Sequence, residues 1–432
     1  MKSNLVKRGF LSLLAAQFFG AMNDNVLKML LTFMVIDGAW AGQLGDGGQG
    51  IVGICFTIPF ILLSGYGGQI ADRYSKREVT LWVKIAEIPI ALIALTGFYF
   101  GNLWITLSSL VALTCQSSFF GPAKYGMIPE LVDESDLSRA NGTINMMTNI
   151  AVIVGTLLGG VVADRYSPQD PAIPAIQWLP GASLVAIAVV GLIAAIFMPK
   201  LEPGDRSMKF DWNPFSTYIV SIREMSKSRF LMVMLAWGYF YLLAGLALLI
   251  LPEYTLVMNI DRTEASVLLG VMGIAIGIGC AVAGLISGHQ INVKLVPIGA
   301  AGLTVFFLLL AFVPPSLPNM KPMVRVALSN TAGFVLGAGF FAGFYIIPLQ
   351  ALLQKLSPND ERGRFLGTAN AISFAFLTVA SLLYWIMRSA FGDSPQHIFA
   401  VCAILMAAGA GFFLWKLRGT GILIGTANAE AK

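Results

Sequence analysis

The chain has 432 residues, of which 56% are hydrophobic and 12% charged, with a mean hydropathy of +0.76. Soluble domains run nearer roughly 45–50% apolar and 25% charged, so this composition excludes an ordinary soluble fold and calls for lipid as the solvent. In such a chain the net charge of +5 reports first on topology, before any acidic or nucleic-acid partner.

Apolar runs of about 20 residues, the length that crosses a bilayer, recur from end to end. They predict spans near 9–36, 50–70, 79–99, 102–120, 139–163, 178–198, 229–251, 264–287, 295–313, 324–350, 364–387 and 395–415. The runs are continuous, whereas barrel strands alternate apolar and polar over about ten residues, so every span reads as a helix. Lys2, Lys7 and Arg8 before the first run imitate a signal peptide, but that run is too long and carries Asp24 and Lys28. It stays as the first helix. The polar stretch 199–228, with Glu202, Pro203, Gly204, Asp205 and Arg206, separates six spans from six. The expected fold is therefore an all-α membrane protein of twelve transmembrane helices in two pseudo-symmetric six-helix bundles, 1–198 and 229–432, joined by a cytoplasmic linker, 199–228. With both termini cytoplasmic, 21 of the 28 Lys and Arg lie inside and 5 outside, which is the bias that sets this orientation.

Internal repeats agree with that division. Arg139-Ala-Asn-Gly142-Thr143-Ile-Asn145 opens the fifth span and Arg364-Phe-Leu-Gly367-Thr368-Ala-Asn370 the eleventh, as two parallel halves would give. Within the first half, Gly67-Gly68-Gln-Ile-Ala71-Asp72-Arg73-Tyr74-Ser75 ends the second span and Gly159-Gly160-Val-Val-Ala163-Asp164-Arg165-Tyr166-Ser167 the fifth. These spans run in opposite directions, so the match fits an inverted three-helix repeat.

Gly68-x-x-x-Asp72-Arg73-x-x-Lys76-Arg77 resembles the signature loop of the major facilitator superfamily, with Ser75 where a glycine is usual. The resemblance implies a cytoplasmic gate built from Gly68, Asp72, Arg73, Lys76 and Arg77, to which Arg139 at the start of the fifth span is added. The corresponding loop of the second half, Gly284-Leu-Ile-Ser-Gly288-His289, lacks the acid. A narrower resemblance lies in Phe19-Gly20-Ala21-Met22-Asn23-Asp24-Asn25, in Gly121-Pro122-Ala123-Lys124-Tyr125-Gly126-Met-Ile-Pro129-Glu130 and in Ala140-Asn141-Gly142. Together these are similar to the bacterial lysophospholipid transporter family, whose members are sometimes fused to an acyltransferase. The match is clearest over 15–165. A basic residue associated with the seventh span of that family has no equivalent between Arg229 and Arg262.

That resemblance implies movement of lysophospholipids from the outer to the inner leaflet of the bacterial inner membrane, for reacylation by a separate acyltransferase. The residues are compatible with it. Asp24 and Lys28, four apart, share a helix face that Gln17, Gly20 and Ala21 extend, either as a headgroup site or as a mutually paired structural couple. Glu87 shares a face with Lys84, and Lys84 is close enough to the cytoplasmic end to snorkel. Asn141, Asn145 and Asn149 recur every four residues, suited to a wet cavity or to bonds between helices. The candidate substrate contacts are Asp24, Asn25, Lys28, Glu87, Lys124, Tyr125 and Asn145, with Lys124 set against the phosphate.

Nothing in the sequence suggests catalysis, a cofactor or a metal. A fused acyltransferase would need a His and an Asp with four residues between them, but Lys294 follows His289 and Cys402 follows His397 at that spacing, and no G-x-x-x-x-G-K-[ST] phosphate loop is present. The four cysteines, Cys55, Cys115, Cys280 and Cys402, fall inside spans with no paired or ligand spacing. Four glycine pairs, Gly155/Gly159, Gly273/Gly277, Gly333/Gly337 and Gly339/Gly343, mark possible close helix contacts. The expected partners are lysophospholipid and membrane lipid, with no nucleic acid and a monomeric state. The alternative is a proton-coupled carrier of a drug or small metabolite, using Asp24, Glu87 or Glu130 as proton carriers.

Overall fold

A computed structural model of the protein describes residues 8–133, 137–204, 210–213, 215–287, 291–357 and 362–418. Lys2, Lys7, Asp205, Arg206, Gly288 and His289 lie outside them, as does the side chain of Arg139. Among the described residues twelve helices are long and apolar enough to cross a membrane. They are α1 (Arg8–Ile36), α2 (Gln49–Arg73), α3 (Lys76–Tyr99), α4 (Leu103–Leu131), α5 (Leu137–Tyr166), α6 (Leu179–Ile196), α7 (Phe230–Ile250), α8 (Arg262–Ser287), α9 (Leu295–Phe312), α10 (Asn330–Leu356), α11 (Arg362–Arg388) and α12 (Ile398–Arg418). No strand occurs among the described residues. This is the twelve-helix, all-α membrane fold.

Local chemistry sets several boundaries. The Asn102 side chain accepts from the Ile105 amide at 3.1 Å and Ser329 from Ala332 at 3.1 Å, so each satisfies an amide that the first turn of α4 or α10 leaves open. The fourth span is longer than expected, because α4 passes through Pro122 and Pro129 to Leu131 instead of stopping near 120. A proline removes one backbone donor, and neighbouring membrane helices can support the helix around that loss. The seventh span continues past α7 through a 3-10 turn, Leu251–Glu253, and a short helix, Tyr254–Val257.

Contacts divide the chain into two compact units, Met1–Ser216 and Thr217–Lys432. In the first, α1 packs on α4, α5 and α6, α4 on α2 and α3, and α3 on α6; in the second, every one of these pairings recurs six helices later. The set in each unit is also unchanged when its first three helices are exchanged with its last three. Both the parallel and the inverted repeat are thus built into the packing.

In two of the four glycine pairs both members carry close approaches. A Cβ on Gly155 would lie 2.6 Å from the Met22 carbonyl oxygen, and one on Gly159 2.8 Å from Met29 Cβ, so α5 meets α1 through them. Gly339 and Gly343 do the same for α10 against α8, at Ala275 and Gly279. Gly277 and Gly333, by contrast, face open space.

After α6 the chain turns back over the start of α3. Met198 is buried in a core cluster with Phe10, Leu13, Val79 and Met127, and Leu201 packs against it. Further on, the Asp211 carboxylate accepts from Ser216 Oγ and from the Asn213 amide, which holds its pKa below the ordinary carboxylate value.

Gly155→Ala should lower the melting temperature in detergent, because overpacking a tight contact costs about 1–3 kcal/mol. Gly333→Ala should leave it unchanged or raise it, since alanine is the better helix former by up to about 1 kcal/mol. Thermal unfolding of both purified variants checks this, and equal melting would contradict the α1–α5 packing.

Candidate transport site in the first unit

The site begins on α1, where five polar residues stand among apolar neighbours. Gln17 donates to Thr148 Oγ1 on α5 at 2.9 Å, and Asn23 donates to Glu87 Oε1 on α3 at 2.7 Å. Ser117 Oγ on α4 lies 3.1 and 3.0 Å from the two oxygens of Asp24. Asn25 donates to the Ala21 carbonyl at 2.7 Å and accepts from Lys28 Nζ at 3.0 Å. The Lys28 ammonium lies 5.0 Å from the centre of the Phe56 ring on α2, at cation–π distance. Asp24 and Lys28 therefore share a face without forming the ion pair that their spacing allows: the acid turns to α4 and the lysine toward α2. Both remain partly exposed.

Lys84 does not snorkel. It is 1% exposed, as is Glu87, and the two form an ion pair at 2.7 Å. Glu87 Oε2 takes Lys84 and Oε1 takes Asn23, so both carboxylate oxygens are satisfied away from open space. The lysine runs beneath Gly20 of α1, where any Cβ would collide with its Nζ, and lies 5.4 Å from the Phe120 ring. Truncating one partner of such a pair strands the other charge, whereas removing both does not.

Lys124 is in the opposite condition. It is 8% exposed, its Nζ lies 4.4 Å from the Tyr125 ring centre, and no carboxylate among the described residues is within ion-pair distance. Tyr125, half exposed, donates to Asn145 Oδ1 on α5 at 3.2 Å, so the structure joins Lys124, Tyr125 and Asn145 in one group. Asn149 is exposed one turn beyond Asn145. Ser117, which holds Asp24, and Lys124 stand seven positions apart on α4, about 10 Å along the helix.

The signature loop is placed as follows. Asp72 is exposed and its carboxylate has no hydrogen bond or ion pair among the described residues; Arg73 lies over the Tyr74 ring at 5.8 Å. Lys76 pairs with Glu130 at 2.6 Å, and Arg77 donates to the Met198 carbonyl at 2.9 Å. Gly68 faces open space. Glu130 is thus engaged in a surface pair.

Residue patterns did not single out Asn23, Ser117 or Gln116. Gln116 donates to Ser117 Oγ at 3.2 Å, and its Oε1, like Asn23 Oδ1, is buried without a partner among the described residues. Their polarity within spans was the available signal. In the second unit, Glu253, just beyond α7, accepts from Arg388 Nε at 2.7 Å and from the Tyr384 hydroxyl, while Glu264 is gripped by Arg325 through two bonds of 2.7 Å. No cluster suited to a metal ion and no disulfide occurs among the described residues.

The profile of the Major Facilitator Superfamily matches residues 13–375. The chain belongs to this superfamily. It is a multi-pass membrane protein and a transporter that moves a small molecule or lipid across a membrane by alternating access. Among curated proteins it is 28% identical to Lysophospholipid transporter LplT of Cronobacter sakazakii, over 96% of this chain and 98% of that one. It is 31% identical to the protein of that name from Photorhabdus laumondii, over 81% of each. Solved structures share the fold at low identity. One is a bacterial homologue of the human lysosomal transporter Spinster, at a TM-score of 0.71, 12% identity, and 95% and 96% coverage of the two chains. Another is the nucleoside transporter NupG, at 0.68, 13%, and 94% and 99%.

Lys84→Met should destabilise the protein by about 3–5 kcal/mol through the stranded Glu87. The double variant Lys84→Met/Glu87→Gln should recover most of that loss. Membrane abundance and thermal unfolding of the two variants measure the difference; a double variant as unstable as the single one would contradict the pairing.

Proposed function

We propose that the chain carries lysophospholipids from the outer to the inner leaflet of the bacterial inner membrane, where a separate acyltransferase restores the missing chain. Lys124 carries this reading: a buried cation without a carboxylate partner invites an anion, and the neighbouring Tyr125 and Asn145 are open to solvent or ligand. A phosphodiester supplies that charge. Asp24 and Lys28, partly exposed two turns away on the facing helix, are the second group, with Lys28 available to phosphate and Asp24 to a headgroup ammonium. Asn25 holds Lys28 in place, and Glu87 serves as the buried anchor beneath them. The names of the curated relatives point the same way. In this reading the protein acts as a monomer without catalysis or cofactor, both termini are cytoplasmic, and the loop of Gly68, Asp72, Arg73, Lys76 and Arg77, with Arg139, forms the cytoplasmic gate.

One observation favours a proton-coupled carrier of a drug or metabolite. Asp24 is bonded to a hydroxyl instead of a fixed cation, so its charge is free to change during a cycle. Vesicles containing the purified protein separate the readings. Labelled single-chain lysophosphatidylethanolamine should be taken up and the matched two-chain lipid should not; equal movement of both, or of neither, would sink the lipid reading.

Lys124→Gln should reduce uptake by about 10–100-fold, the equivalent of a charge-assisted hydrogen bond of about 1.5–3 kcal/mol, with abundance nearly unchanged. The set Asp24→Asn, Lys28→Gln and their double variant should keep abundance in the double while uptake stays low. Wild-type uptake by a well-folded double variant would remove these two residues from the headgroup site.

A further inference from the structure

Between α6 and α7 the chain forms a short helix, Ser216–Met225, of ten residues. Asn213 Oδ1 accepts from the Phe215 amide at 3.0 Å and the Asp211 carboxylate from Ser216 Oγ, so polar groups at its start are met locally. Its residues sort onto separate flanks by their three- and four-residue spacing. Ser221 and Met225 are fully buried. Phe215, just ahead of the helix, forms with Ile219 and Ile222 a second flank that is apolar yet exposed, Ile219 at 61%. Arg223 and, just past the last turn, Lys227 fall beside that stripe, exposed and with no carboxylate bonded to them among the described residues. Glu224, the one acid of the helix, falls opposite the stripe.

What covers the stripe follows from where the helix is tied. The amides of Ser226, Lys227 and Ser228 donate to the carbonyls of Ile222, Glu224 and Met225 at 2.8, 3.1 and 3.1 Å, and the Phe230 amide donates to Ser228 Oγ at 3.2 Å. The helix therefore passes through one bonded turn into α7, whose membrane span begins at Phe230. Five residue steps reach at most about 18 Å when fully extended, and a bonded turn is shorter, so the helix stays beside the point where α7 enters the bilayer. An exposed apolar stripe flanked by bases suits that place: the stripe enters the upper acyl chains and the bases meet anionic headgroups, with the acid turned away. We propose that the Ser216–Met225 helix docks on the lipid surface of the leaflet that α7 enters, with Phe215, Ile219 and Ile222 inserted and Arg223 and Lys227 set on anionic headgroups. Docking does not depend on which substrate the chain carries.

The test uses full-length protein with its four native cysteines replaced by alanine, in nanodiscs of phosphatidylcholine and phosphatidylglycerol. An environment-sensitive fluorophore is attached at Ile219→Cys or at Val220→Cys, neighbours that are both exposed, with Val220 turned well away from the stripe. Neither position belongs to the buried flank, and a melting temperature equal to that of the unlabelled protein checks that each labelled protein is folded. Two quenchers read each position: iodide in the water, and a spin-labelled lipid whose nitroxide sits near the headgroup end of its acyl chain. At position 219 the lipid should quench strongly and iodide weakly, and at position 220 the order should reverse. Quenching of both positions by iodide alone would show a stripe open to water, and protection of position 219 from both quenchers would show a stripe covered by protein, whether this chain or a second copy; either result overturns the proposal. Exchanging phosphatidylglycerol for phosphatidylcholine, or Arg223→Gln/Lys227→Gln, should lower the ratio of seated to lifted helix by about fivefold per charge, read as lost lipid quenching at position 219. Lipid quenching that both changes leave intact would overturn the assignment of these bases to anionic headgroups.

Discussion

A charge inside a bilayer has to find its opposite within the protein, and the Lys84–Glu87 pair is where this chain meets that demand most completely. Desolvating two ions is costly, so such a pair persists only when the remaining bonding capacity is also met. Asn23 supplies the missing donor to Glu87, and the glycine at position 20 leaves room for the ammonium under α1. Gly191 of α6 lies over the same lysine, with Nζ 3.7 Å from where its Cβ would be. One ion pair therefore fixes the spacing of α1, α3 and α6. With those helices placed, Asp24 faces Ser117 on α4, and Lys28 falls beside Phe56 on α2.

The second unit repeats the packing of the first without repeating its chemistry. Its counterpart of α1 is α7, which has no Asp, Glu, Lys or Arg from Phe230 to Ile250. Aromatic residues take their place: Trp237 and Tyr241 meet edge to face at 4.9 Å, and Phe240 stacks on Tyr345 at 5.9 Å. Charges in this unit lie near helix ends, as in Glu253 with Arg388 and Glu264 with Arg325. There they need no polar pocket at mid-span. The same set of helix neighbours thus supports a charged interior in one unit and an aromatic one in the other, because packing depends on small residues at the crossings and leaves the facing positions free.

That separation explains which features were legible in the sequence. Spans follow from composition alone, since a bilayer admits few alternatives to an apolar helix, and the repeats announced themselves in shared letters. The end of α4 did not, because Gly121-Pro122 reads as a break in water but the helix runs on through it here. Of the glycine pairs, Gly155/Gly159 and Gly339/Gly343 found partners while Gly277 and Gly333 did not; the motif states that close approach is possible, and only the fold decides where a second helix passes. The site residues divided similarly. Asp24 and Lys28 were visible as charges within a span, but their i,i+4 spacing suggested a pair that the structure replaces with Ser117, Asn25 and Phe56. Three-dimensional partners from other helices leave no trace in local spacing.

Lys84 and Lys124 show what such partners decide. Both are buried lysines on membrane helices, and both could have been taken for residues at the membrane edge. Lys84 is neutralised by Glu87, so it adds nothing to the field beyond its own pocket. Among the described residues Lys124 has only the face of Tyr125, and an aromatic quadrupole stabilises a cation without cancelling its charge. Counting Asp24, Lys28 and Lys124 outside the closed pair leaves one net positive charge in the polar interior of this unit. A cationic drug entering there would meet like charge in a medium of low dielectric, where repulsion is weakly screened. An anionic or zwitterionic headgroup would meet its complement at Lys124, with Asp24 about two helical turns away for any positive end. Under the proposed function, that balance of charge suits a phosphate-bearing substrate better than a cation.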